Sequence, residues 1–237
     1  MSWLATGIYP ELAEALSLVA GVESCTLLDW PGRVSMVLFL QGCNLRCPWC
    51  HNPALLPVGE RQEAGAQVAQ VVAQIRQAAN LVDAVVISGG EATIHQSLPL
   101  LVGYLQSGGL RVKLETNGSK PEMLRTLITS QAGLQAVAMD IKAPLWGFPE
   151  RDLAAMWQRA TGLGNGGTVL AAVRESFQLL CAWALRGGEL YLRTTRLPWF
   201  SADIIQSIEQ MVPAYVSWRL QQLQVRGTPT AAVAATL

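Results

Sequence analysis

Apolar residues fall along this chain in two rhythms. Short runs, mostly apolar, alternate with longer stretches spaced for one face of a helix. Val34–Leu40, Ala84–Ile87, Arg111–Leu114, Ala136–Met139, Leu190–Leu192 and Tyr215–Leu220 read as strands, and Val22–Leu28 reads as extended. Pro10–Ala20, Arg61–Ala79, Ser97–Gln106, Pro121–Thr129, Val169–Leu185 and Ala202–Met211 read as helices. Asp29-Trp30-Pro31-Gly32 is a turn, because proline presets φ and glycine accepts a positive one. Ala143–Gly167, glycine-rich at its end, reads as irregular.

Strands without polar alternation are those covered on both faces, as in parallel sheets. Six strand–helix repeats of roughly 25–50 residues imply parallel strands joined by right-handed crossovers. The expected fold class is α/β, a partial (βα)6 TIM-like barrel that stays open rather than closing at eight strands. In such folds the carboxyl edge of the strands carries the active site. The segments 41–52, 88–93, 115–118, 140–142 and 193–195 follow strands and are therefore expected to face one pocket. The expected organisation is an N-terminal extension over 1–21, a core over 22–225 and a loosely ordered tail over 226–237.

Composition narrows the function classes. Half of the residues are apolar (51%), only 14% are charged, and 17 basic residues balance 17 acidic ones. That balance gives no electrostatic footprint for nucleic acid or a membrane surface, so neither is expected as a partner. A membrane span needs about 18 apolar residues without a charge or breaker, and none is read here. The first ten residues have neither a basic start nor a long apolar block, so no signal peptide is expected and the expected location is cytoplasmic. Five cysteines, an odd number, argue against a disulfide framework in a reducing compartment.

Three of those cysteines lie in Gln41-Gly42-Cys43-Asn44-Leu45-Arg46-Cys47-Pro48-Trp49-Cys50-His51-Asn52-Pro53, a Cys-x3-Cys-x2-Cys loop. Three thiolates in one short loop can each reach a different corner of a cuboidal cluster. A [4Fe–4S] cluster is usually held by four thiolates, so three leave one iron open. Spacing alone also admits a closed zinc site of Cys43, Cys47, Cys50 and His51 or His95, although no second Cys-x2-Cys pair follows and His51 adjoins Cys50 awkwardly.

The cysteine loop, with an aromatic before its last cysteine and Gly-Gly-Glu after the second strand of the repeat, resembles the radical S-adenosylmethionine (SAM) superfamily. Leu28-Asp29-Trp30-Pro31-Gly32, Phe39-Leu40 and Cys50-His51-Asn52-Pro53 make the chain similar to glycyl-radical-enzyme activating enzymes, in particular the activating proteins of anaerobic ribonucleoside-triphosphate reductase. The likeness runs from about Val22 to Leu197. It implies a barrel of the radical SAM type, a [4Fe–4S] cluster on Cys43, Cys47 and Cys50, and SAM on the open iron. A one-electron cleavage of SAM to a 5′-deoxyadenosyl radical would be followed by hydrogen abstraction from a glycine of a partner enzyme. Flavodoxin or ferredoxin would supply the electron.

The resemblance also implies residue roles. Ser88-Gly89-Gly90-Glu91 would accept the SAM ammonium through backbone and carboxylate oxygens. Glu115, Thr116, Asn117 and Asp140 would contact SAM, and Glu115 and Asp140 would help to hold a monovalent cation. Lys142 would face the SAM carboxylate, and Arg193 the carboxylate or ribose. Trp49 would pack on the adenine, with the backbone of Cys50 and His51 at the base edge. Ala92 stands where the family usually has proline, and Glu115 where it often has aspartate. His95 reads as a helix-start residue, and Cys25 and Cys181 as buried small apolar side chains. Two other readings stand beside this one: a radical SAM enzyme acting on a small molecule, similar to 7-carboxy-7-deazaguanine synthase, and a non-enzymatic zinc-binding module.

Overall fold

The computed structural model describes residues 9–57, 64–130 and 133–223, the side chains of 64–66 aside. Seven strands form one sheet whose spatial order equals their chain order: β1 (Val19–Thr26), β2 (Ser35–Leu40), β3 (Ala84–Gly89), β4 (Arg111–Thr116), β5 (Ala136–Asp140), β6 (Glu189–Arg196) and β7 (Ser217–Gln222). β2 to β7 pair in parallel, each with the next; β1 lies antiparallel on β2 at one edge. β1 and β7 do not pair, so the six parallel strands make the expected partial barrel with an open side. The helices are α1 (Pro10–Ser17), α2 (Ala64–Ala78), α3 (Leu98–Ser107), α4 (Pro121–Thr129), α5 (Glu150–Thr161), α6 (Gly166–Ala184) and α7 (Ala202–Met211).

Strand residues point alternately to opposite faces, and the two faces here have different company. Met36, Leu38, Val85, Ile87, Val112, Leu114, Val137, Met139 and Leu192 join apolar residues of the helices in one continuous core. Val37, Ala84, Val86 and Ala136 face the other way and pack with Trp30. The smaller residues on that inner face leave room for polar groups from β4 and β6.

The turn after β1 supplies the barrel floor. Trp30 is fully buried (0% exposed). Its Nε1–H donates to Glu189 Oε2 at 3.1 Å, and Arg33 lies over its ring at 5.1 Å while pairing with Glu189 at 3.2 Å. Lys113, 3% exposed, donates to the Asp29 carbonyl and sits 5.2 Å from the Tyr191 ring centroid. The Asp-Trp-Pro-Gly segment therefore closes the barrel from below.

Four expectations need correcting. The first helix stops at Ser17 rather than Ala20, because Val19 already pairs with Leu40. The stretch 143–167 is not irregular: α5 occupies Glu150–Thr161, burying Leu153, Trp157 and Ala160 at helical spacing and ending at Gly162 with φ 71°. Arg193 lies within β6 instead of just beyond a strand ending at Leu192. Cys25 is exposed, since β1 is an edge strand open to solvent on much of its length; Cys181 is buried as expected. Residues 61–63 of the expected second helix, residues 1–8 and the tail over 226–237 lie outside the described residues. Among the described residues no helix is long and apolar enough to cross a membrane.

Candidate active site at the carboxyl edge

The cysteine loop is held in shape by its neighbours. Gly90 and Glu91 donate their backbone N–H groups to the carbonyls of Leu40 and Gly42, at 2.9 and 2.8 Å. A Cβ at Gly90 would lie 2.1 Å from Gly42 O, so the glycine is required by the loop's own backbone rather than only by an approaching ligand. From the far side, Arg46 N–H donates to Thr161 O at 2.9 Å, and a Cβ at Gly162 would lie 2.1 Å from Arg46 O. Gly42 and Cys43 N–H groups reach the carbonyls of Leu55 and Leu56. Asn44 donates to Ser119 Oγ at 2.7 Å and accepts from Asn117 Nδ2 at 3.1 Å. His95, just ahead of α3, places Nε2 2.8 Å from Gln41 O. Leu45 is sunk in the core. The loop is thus clasped by β3, β4, α5 and the turn at Pro53–Leu55.

One cavity of about 590 Å³ opens above it. Cys43, Cys47, Trp49, Cys50 and His51 line one side. Ser88, Gly89, Gly90, Glu91, Glu115, Thr116, Asn117, Asp140, Lys142 and Arg193 line the rest, so every expected site residue reaches the same space. Leu45 and Ile141, within segments expected here, add apolar lining; sequence reasoning missed Leu56 and Leu197, and the run Arg219, Leu220, Gln221 and Gln222 on β7. The signal for the last group was present: β7 closes the repeat, and its carboxyl end must join the same edge.

Glu91 is 1% exposed. Its Oε1 accepts from Thr93 N at 3.2 Å, Thr116 Oγ1 at 2.7 Å and the Thr93 hydroxyl; its Oε2 accepts from Asn117 N at 2.6 Å. Through these contacts the carboxylate ties the end of β3 to the end of β4. Burial pushes its pKa up in spite of those donors. Four donors converging on a carboxylate are charge-assisted and strong.

A ladder of alternating charge runs across the inner face. Lys113 lies 3.6 Å from Glu115, Arg193 Nη1 donates to Glu115 at 2.5 Å, Arg193 Nε donates to Asp140 at 3.0 Å, and Lys142 lies 3.3 Å from Asp140. Ser88 Oγ donates to the second oxygen of Glu115 at 2.9 Å. The guanidinium of Arg193 thus bridges Glu115 and Asp140, the two carboxylates expected to help hold a monovalent cation. Burial pulls the Lys142 ammonium down, but Asp140 and the Cys47 thiol outweigh it and hold its pKa above the ordinary lysine value. Burial likewise works against the Asp140 carboxylate, which Arg193 and Lys142 keep below its ordinary pKa.

Burial raises the thiol pKa of Cys43 and of Cys47, the latter opposed by Lys142. No three His, Cys, Asp or Glu side chains among the described residues converge on one ion-sized point. His95 is committed to the Gln41 carbonyl. Three thiols spread around one cavity instead suit the separate corners of an iron–sulfur cluster. The Nε1–H of Trp49, which lies between Cys47 and Cys50 in the loop, is buried and has no hydrogen-bond partner, a donor left for an incoming ligand. The donor set and this orphaned group fit a cluster with an organic cofactor.

Residues 37–145 match the Radical SAM superfamily. A protein of Methanocaldococcus jannaschii, provisionally named a glycyl-radical enzyme activating enzyme, is 35% identical over 127 residues, 53% of this chain and 50% of its own length. The pyruvate formate-lyase-activating enzyme of Listeria monocytogenes is 30% identical over 143 residues, 55% of each chain. The 7-carboxy-7-deazaguanine synthase of Aquifex aeolicus is 38% identical over 88 residues, 37% of this chain and 38% of the relative. The chain thus spans about half the length, or less, of these relatives. Among solved structures, Streptococcus suis SuiB bound to S-adenosylmethionine superposes with a TM-score of 0.54 at 16% identity, covering 79% of this chain and 40% of SuiB. TYW1 with a lysine-pyruvate adduct superposes at 0.56 and 14% identity, covering 83% of this chain and 67% of TYW1. These likenesses show the fold.

Proposed function

Residues 37–145 carry a radical SAM domain, and from that premise we propose that this protein is an activase that installs a glycyl radical in a partner enzyme. The observation that carries the reading is the gathering of Cys43, Cys47 and Cys50 with four strand-end segments around one cavity. Similarity over half the chain to activating enzymes supports the choice of substrate class. An anaerobic ribonucleoside-triphosphate reductase is the proposed partner, and a flavodoxin or ferredoxin the proposed electron donor.

The family's cofactors are a [4Fe–4S] cluster and SAM, which together supply a one-electron cleavage whose radical fragment takes a hydrogen atom from the substrate. Cys43, Cys47 and Cys50 would hold the cluster as thiolates. The backbone oxygens of Ser88–Gly90 would accept the ammonium, and Lys142 would set a point charge toward the carboxylate. Trp49 would offer its free N–H and its ring face to the base. Glu115 and Asp140, which line the cavity, would orient Arg193 and Lys142 toward the ligand. Leu45, Leu56, Ile141 and Leu197 give the cavity apolar walls that keep water from a reactive species. None of these roles demands a general acid or base.

Anaerobic reconstitution with iron and sulfide, followed by incubation with SAM, a reductant and purified anaerobic ribonucleoside-triphosphate reductase, tests the reading. A glycyl doublet in the electron paramagnetic resonance spectrum is the expected result. The likeness to a deazaguanine synthase favours a second reading, a small-molecule substrate. No doublet with any glycyl-radical enzyme, together with 5′-deoxyadenosine formed in response to a small molecule, would replace the first reading by the second. A colourless protein holding one stoichiometric zinc would remove both.

A further inference from the structure

Most charges lining the cavity are already paired. Glu115 and Asp140 are spanned by Arg193, and Asp140 also holds Lys142. Glu91 accepts from four donors. Arg219 is different: it lines the cavity, is exposed, and has no ion pair or hydrogen bond among the described residues. It sits on β7 directly beside Arg193 of β6, so it belongs to the same inner face as the charge ladder but lacks a counter-charge there.

The shape of the cavity at this strand adds an independent observation. Successive residues of a strand point to opposite faces. Yet Arg219, Leu220, Gln221 and Gln222, four in a row, all border the cavity. The cavity therefore follows the carboxyl half of β7 instead of touching one face alone. Among the described residues the free edge of β7 has no neighbouring strand, the arrangement to which an extended peptide adds. Gln221 and Gln222 bring amide groups that can follow a main chain.

We propose that β7 is the docking edge for an extended, acidic segment of the protein substrate, with Arg219 pairing with a carboxylate near the reacting glycine. The proposal rests on the activase reading and deepens it by giving the substrate a charge and a conformation. A peptide strand laid along this edge passes the open side of the barrel and brings its central residue over the cavity. The carboxylate gives register, and the edge hydrogen bonds give the extended form. An isolated, exposed pair sets a modest preference, about fivefold between acidic and neutral peptides.

The test uses the reconstituted protein and fluorescent nine-residue peptides with a central glycine, carrying Glu, Gln or Lys two residues away. Anisotropy should rank Glu above Gln above Lys, with the spread shrinking in high salt. R219Q should collapse the Glu-to-Gln ratio to about one, and R219K should keep it. R219E should reverse the order and bind the Lys peptide best, a gain that damaged folding cannot produce. A backbone N-methylated Glu peptide should bind more weakly than its parent. An unchanged ratio in R219Q overturns the proposal, and so does an equal loss of SAM affinity, which would assign Arg219 to the cofactor. The activase reading is scored separately, by 5′-deoxyadenosine that requires the central glycine: if Gly and Ala peptides behave alike there while R219E still reverses the binding order, the activase reading fails and the docking edge stands.

Discussion

Two tryptophans mark the two ends of one barrel. Trp30, on the floor, is fully buried and hands its N–H to Glu189, which also holds Arg33 and accepts from the Tyr191 hydroxyl. Trp49, at the mouth, keeps a buried N–H with nothing to receive it. The same side chain is closed off at one end and left waiting at the other. A floor whose tryptophan, arginine and tyrosine all converge on Glu189 contributes to stability; a mouth with an unmet donor and free thiols is shaped for something that the protein must acquire.

The comparison predicts that substitutions at the two ends separate chemistry from stability. The largest effect belongs to the mouth: Cys47→Ala should abolish iron and sulfide loading and reduce SAM cleavage to background, with the urea midpoint of the metal-free protein nearly unchanged. A large fall in that midpoint would break the distinction. Next comes the floor. Trp30→Ala should cost about 3–5 kcal/mol and lower Tm by roughly 10 °C, while iron per folded molecule stays at the wild-type value.

Glu91→Gln tests the mouth's own bracing. An amide group would face donors where the carboxylate accepts, and an expected loss of about 2–3 kcal/mol in urea should come with weaker SAM binding by calorimetry. The smallest effect is at Lys113, between the two ends. Burial lowers its pKa, with Glu115 opposing the shift. Between that depressed value and the ordinary lysine value of 10.5 the unfolded chain binds more protons than the native one, so stability rises with pH across that window. Lys113→Met should flatten this rise and change stability at neutral pH by only about 1 kcal/mol, read from urea unfolding at a series of pH values.

Much of the mouth was legible because its chemistry is local in sequence. Cys43, Cys47 and Cys50 lie in one loop, and Glu91, Glu115, Asp140 and Lys142 follow or end apolar runs whose periodicity is plain. The floor was not legible, because Trp30 and Glu189 stand 159 positions apart and no pattern in either neighbourhood announces the other. The Asp-Trp-Pro-Gly segment was read only as a turn and a family mark. Whether Arg193 and Glu115 bind a ligand or each other is likewise a matter of cross-strand register, which sets Asp140 beside Arg193. Cys25 illustrates a third limit: its neighbours look strand-like, but exposure depends on whether the strand is central or at an edge. Helix α5 was missed for a softer reason, since Leu153, Trp157 and Ala160 carried the periodicity but glycines nearby masked it.

Strand order identical to chain order has a consequence for biosynthesis. Each parallel strand, on leaving the ribosome, finds its pairing partner already present in the strand just made, so the sheet can grow by successive additions without waiting for distant segments. The antiparallel β1 and the tryptophan plug emerge first and β7 last. Assembly therefore proceeds from a sealed starter toward a final side wall, and the wall carrying Arg219 is the last part of the sheet to be put in place.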